Sequence, residues 1–185
     1  MNRLLQNSLL GLGLASLSSL ALAGDWQFMP VKNADYTPNV TVSLVGGQMK
    51  PTGAANGNYA GAEVAFNCLA LQPPVGVIRS KISYGEYNKN GYKVSSFEVN
   101  PRWTTFHGDK LSLGIGPGIG YVSTTQAGQT ANMFALQLGA DLDYRIGALN
   151  LGLGVRWQGT ENKAISAGVN NASNTLVLAK LGMNF

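Results

Sequence analysis

Charge is scarce in this sequence of 185 residues. Asp, Glu, Lys and Arg together make up 12% of it, where a soluble protein carries roughly a quarter. A soluble sandwich or barrel needs more than that to cover its surface. Cys68 is the only cysteine, which excludes an internal disulfide and a thiolate metal site. His107 is the only histidine, so imidazole-based metal or acid–base chemistry has little to work with. Beyond residue 23 no apolar run approaches the ~18 residues of a membrane-spanning helix. The formal charge of +4 comes from scattered basic residues, which argues against nucleic acid as a partner. No cofactor motif is present: the run GIGPGIG lacks the G-x-G-x-x-G spacing, and no helix pattern follows it.

What is present is alternation. The last eleven residues, TLVLAKLGMNF, put Val177, Ala179, Leu181, Met183 and Phe185 on one face, and Leu178, Lys180, Gly182 and Asn184 on the other. A period of two is a β-strand. Seven more such segments precede it: PNVTVSLVGGQM, YAGAEVAFNCLAL, VIRSKISYGEY, YKVSSFEVNPRW, LSLGIGPGIGYV, MFALQLGADLDYR and LNLGLGVRWQ. In this reading Cys68 lies on the second strand, in line with Ala62, Val64 and Phe66, as an apolar space-filler, and Pro101 sits near the end of the fourth, where a missing donor is tolerable. NKNG is a turn, STTQAGQTAN is a loop, and residues 159–173 form a long polar loop. The short connections share one end, which holds His107 in the turn TTFHGDK.

Residues 1–23 read as a cleaved signal peptide: Arg3, a Leu-rich middle, then Ala21-Leu22-Ala23. Residues 24–37 become a periplasmic lead-in and residues 38–185 the barrel. Glu63, Arg79, Lys81, Glu98, Arg102, Asp141, Asp143, Arg145, Arg156 and Lys180 all project onto the face opposite the aliphatic stripe. Tyr84, Trp103, Tyr121, Tyr144 and Trp157 lie near strand ends, as interfacial aromatic girdles do. The expected fold is all-β: an eight-stranded antiparallel up-and-down transmembrane barrel, apolar outside, in a Gram-negative-type outer membrane.

The chain resembles the small eight-stranded outer-membrane proteins, the OmpA transmembrane domain, OmpX and opacity-type group. The residues carrying this are Ala21-Leu22-Ala23, the eight alternating segments and the terminal KLGMNF. The resemblance implies that Leu181, Met183 and Phe185 are read by the barrel assembly machinery, with periplasmic chaperones during biogenesis. It transfers no active site.

Eight strands enclose a lumen that side chains fill. The ten charged residues predict either a crosslinked polar plug or a narrow, weakly anion-selective conduit for ions or small solutes. The expected role is non-enzymatic, as a monomeric envelope or surface-contact protein acting through its external loops, especially residues 159–173. Lys50, Lys89 and Lys163 are placed to meet lipopolysaccharide phosphates among the outer-membrane lipids. A lipid A-modifying enzyme would need His and Ser together at the external rim, and His107 is at the wrong end.

Overall fold

Long alternating segments joined by brief turns leave each strand two neighbours, and eight of them close on themselves. The computed structural model describes residues 24–165 and 170–185. The barrel runs in chain order through β1 (Thr41–Pro51), β2 (Gly57–Asn67), β3 (Val77–Lys89), β4 (Tyr92–His107), β5 (Leu111–Gln126), β6 (Gln129–Ile146), β7 (Leu149–Thr160) and β8 (Asn174–Asn184). Each pairs antiparallel with the next, and β8 returns to β1 with Leu181 opposite Leu44. Closure removes every free edge along the paired length.

Turns fall at two ends. The turn end holds both barrel termini, where Phe185 N–H donates to Val40 C=O at 2.8 Å. The loop end holds the connections 52–56, 90–91, 127–128 and 161–173. Asn90 and Gly91 both have positive φ, 51° and 77°, the two-residue turn whose twist suits a hairpin. Ala127 and Gly128 repeat it with φ of 50° and 80°.

Several boundaries depart from the sequence reading. STTQAGQTAN is not a loop: β5 and β6 run on through it, pairing Ser123 with Asn132 and Thr125 with Thr130 around a two-residue turn. β2 stops at Asn67, so Cys68 lies in the connection that follows rather than on the strand. That connection, residues 68–76, is not short. Its Leu71–Gln72 forms a ribbon with Gln27–Phe28 of the lead-in, and Gln72 Nε2 donates to Cys68 and Ile78 carbonyls. The lead-in is tied to the turn end: Asn67 N–H donates to Pro38 C=O and Asn67 Nδ2 to Thr37 C=O. The barrel proper begins at Thr41 rather than residue 38. His107 closes β4 instead of sitting in the turn after it. The expected signal peptide lies outside the described residues.

Pro101 is well inside β4, not near its end. The register on either side, Val99 with Ile119 and Trp103 with Ile115, brings it opposite Pro117 of β5. Neither proline has an N–H to give, so the ladder lapses between residues 100–102 and 116–118.

Candidate functional site

The lumen is where sequence and fold concentrate polar chemistry. The structure brings all ten predicted charged residues to the inner face. Arg79, Lys81, Glu98, Arg102, Asp141, Arg156 and Lys180 are buried; Glu63, Asp143 and Arg145 are half-buried.

Asp141 on β6 is the hub. Its Oδ1 accepts from Lys180 Nζ at 2.6 Å, and its Oδ2 accepts from Arg102 Nε at 3.0 Å and lies 3.1 Å from Lys81 Nζ. Lys180 also reaches Glu63 at 2.9 Å, and Lys81 reaches Asp143 at 3.4 Å. Strands β2, β3, β4, β6 and β8 are thereby cross-linked through the middle. Arg102 does a second task. Its Nη1 donates to the carbonyls of Gly116 and Pro117 at 2.7 and 2.8 Å, supplying donors in the stretch where the prolines break the ladder. Gly139 leaves room for it: a Cβ there would lie 2.5 Å from Arg102 Nη2, so the guanidinium would have to shift.

A second cluster sits nearer the loop end. Glu98, fully buried, accepts from Arg156, from Ser96 Oγ at 2.6 Å, and from Ser83 Oγ and Asn100 Nδ2 at 3.3 Å. Arg156 also stacks over the Tyr59 ring, 5.8 Å from its centroid. Four donors around one buried carboxylate satisfy the group whose desolvation would otherwise be costly.

Beyond these clusters the lumen changes character. Met49, Tyr59, Tyr87, Tyr92, Val94, Val122, Met133 and Leu176 form an apolar core inside the loop-end part of the barrel. Tyr87 and Tyr92 pack edge to face at 6.1 Å, and the Tyr87 hydroxyl donates to Ala55 C=O. The described residues of this connection, 161–165 and 170–173, are not simply a solvated external loop. Ile165 and Ala172 are buried in this core, while Lys163 Nζ and Glu161 Oε1 bond the edge of β6 at Asn132 and Phe134. The overhang of β6 past β7 would otherwise be an open edge.

The outer face changes in the opposite sense. Along the middle and turn-end lengths it is apolar: Leu44, Ile119, Leu136, Leu153 and Leu181 are all more than half exposed. At the loop end the outward residues become Gln48, Lys50, Asn58, Asn88, Lys93, Thr130 and Asn132. The same strands are therefore apolar-out and ionic-in along most of their length, then polar-out and apolar-in at the loop end. This inversion was missed in the sequence, although parity carries it: Tyr59 is in phase with Glu63, Tyr87 with Lys81, and Met133 with Asp141.

Of the aromatics placed at strand ends, Tyr84, Tyr121 and Trp157 point outward toward the loop end, Trp103 and Tyr144 toward the turn end. Trp103 Nε1 donates to Val75 C=O at 2.9 Å, and Tyr121 meets Phe134 edge to face. Leu181, Met183 and Phe185 are exposed on the outer face of β8 and just beyond it.

The barrel interior, among the described residues, includes small cavities of about 20 and 10 Å³, each near the size of a single water. Outside, a surface cavity of about 720 Å³ lies between residues 50–55 and Trp157.

No family model matches the sequence, and no curated protein matches it. Solved structures do. The N-terminal β-barrel domain of Pseudomonas aeruginosa OprF superimposes with a TM-score of 0.55 at 15% identity, covering 80% of this chain and 100% of that one. Neisserial surface protein A gives 0.57 at 14%, covering 79% and 96%. Ail, the attachment invasion locus protein of Yersinia pestis, gives 0.52 at 11%, covering 80% and 97%. The chain has the fold of the small eight-stranded outer-membrane β-barrels.

Proposed function

We propose that this protein is a monomeric outer-membrane barrel with a sealed lumen, acting without catalysis through the surface it presents at its loop end. The observation that carries the reading is the polarity inversion along single strands. An apolar exterior over a charged interior is stable only where acyl chains, not water, surround the wall. The switch to a polar exterior over Met49, Tyr87 and Met133 marks where the wall rises out of lipid into water. The outward aromatics near the strand ends then serve as the interfacial girdles, and Leu181, Met183 and Phe185 as the signal read by the assembly machinery after export by residues 1–23.

A plug, not a conduit, is supported by the two water-sized internal cavities and by Ile165 seated in the loop-end core. The contact surface is the loop-end rim. Register places Lys50, Thr175 and Trp157 side by side on β1, β8 and β7, beside the large external cavity. A cation next to an exposed indole suits an anionic headgroup, such as a lipopolysaccharide phosphate. His107, exposed at the opposite end, has no part in chemistry at this rim.

Planar-bilayer recording separates plug from conduit. The purified barrel should leave conductance at background; steady anion-selective current would replace this reading with the channel. For the rim, Lys50→Glu should weaken retention on lipopolysaccharide-containing vesicles while the barrel still folds, and unchanged retention would remove Lys50 from the surface.

A further inference from the structure

The lumen's charges do not balance. Six cations, Arg79, Lys81, Arg102, Arg145, Arg156 and Lys180, face four carboxylates, Glu63, Glu98, Asp141 and Asp143. Every carboxylate has a cation within 4.0 Å, supplied by Lys81, Arg102, Arg156 or Lys180. Among the described residues no carboxylate lies within that distance of Arg79 or Arg145. The surplus is therefore localised, and both surplus guanidinium groups border the same cavity.

That cavity, about 10 Å³, lies at the turn end of the lumen. Its ionisable neighbours are Arg79, Lys81 and Arg145 against Glu63 and Asp143, one positive charge in excess. Glu63 and Asp143 are held by Lys81, and Glu63 also by Lys180. Arg79 spends Nη2 on Asn39 C=O and Thr41 Oγ1, both at 3.0 Å, which are neutral acceptors. Arg145 Nε is buried without a hydrogen-bond partner. The Ser112 hydroxyl and the Asn150 amide complete the wall. Two guanidinium groups without a carboxylate, one net charge to neutralise and room for one water-sized guest are the attributes of a small-anion site.

We infer that the turn-end lumen binds one monovalent, chloride-sized inorganic anion between Arg79 and Arg145. The anion sits against the two guanidinium groups that border the cavity and cancels the local excess. A water molecule fits the volume but leaves the charge uncompensated. Larger oxyanions exceed the cavity. The site lies beside the β6–β7 turn, so the ion enters from the turn end and needs no path through the barrel. This does not depend on the role proposed for the loop-end rim.

The test uses the full barrel folded in detergent micelles. Its urea midpoint, followed by tryptophan fluorescence, is measured while chloride replaces gluconate at constant ionic strength. The expected result is a midpoint that rises with chloride and saturates, as for a ligand bound only to the folded state. In Arg145→Gln the apparent chloride affinity should fall at least tenfold. Equal midpoints in chloride and gluconate, or an undiminished chloride effect in Arg145→Gln, would overturn the inference. Should Arg145→Gln not fold, chloride-35 line broadening decides with the unaltered protein. Broadening above that of empty micelles and displaced by bromide supports the site; broadening no greater than that of the micelles refutes it.

Discussion

The two ends of this lumen are closed by different physics. In the turn-end and middle lengths, Asp141, Lys81, Lys180, Arg102 and Glu63 tie five strands together by charge. At the loop end Met49, Tyr87, Val122, Met133, Ile165 and Leu176 pack as an ordinary apolar core. The hydrophobic effect stabilises a core only against water, and on the proposed membrane placement water surrounds the barrel only where its outer face is polar. Where the outer face is apolar, lipid competes equally well for greasy side chains, so directional ion pairs and hydrogen bonds do the cross-linking instead. The contrast shows that one strand can serve both regimes by keeping its parity and exchanging which face is apolar.

Breaking the ionic half should cost most. Asp141→Ala leaves Arg102 with no carboxylate and takes one of their partners from Lys81 and Lys180, and removing one partner of a buried pair costs about 3–5 kcal/mol. Urea unfolding from lipid vesicles should show this loss. The apolar half should respond less: Leu176→Ala, at a fully buried position, should cost about 3 kcal/mol by cavity formation. The same measurement compares the two. A smaller effect belongs to the seam between Pro101 and Pro117. Arg102→Lys keeps the charge but loses the fork that serves both Asp141 and the Gly116 and Pro117 carbonyls, so about 1–3 kcal/mol should go. Amide exchange at Gly118 should quicken in that variant; an unchanged rate would show that Arg102 does not hold the seam.

The extent to which this was legible follows the same division. Strand number and the gathering of the charges on one face follow from period-two alternation, which one-residue shifts would destroy; the choice of that face as the inner one rests on the signal-like residues 1–23, the aromatic Phe185 and the strand-end aromatics. The extension of β5 and β6 was hidden because Ser123–Asn132 and Thr125–Thr130 pairs are polar and resemble loop. Their turn is also unusual, with Ala127 at positive φ where Gly or Asn is the common choice. Pro101 misled because proline reads as a strand terminus, yet a lumen arginine on the next residue satisfies carbonyls that the missing N–H groups leave free. The burial of Ile165 could not be seen locally, since scattered apolar residues in a polar stretch have no period. The loop-end core was visible in principle: Tyr59, Tyr87 and Met133 share parity with the buried charges.

The account depends most on which face of the middle belt meets lipid. In phospholipid vesicles, a nitroxide at Leu136→Cys and another at Asn132→Cys, both in a Cys68→Ser background, report two outward sites four residues apart on β6. The account predicts that Leu136→Cys is reached by oxygen and shielded from a water-soluble nickel complex, while Asn132→Cys shows the reverse. Equal access of the nickel complex to both sites would contradict it.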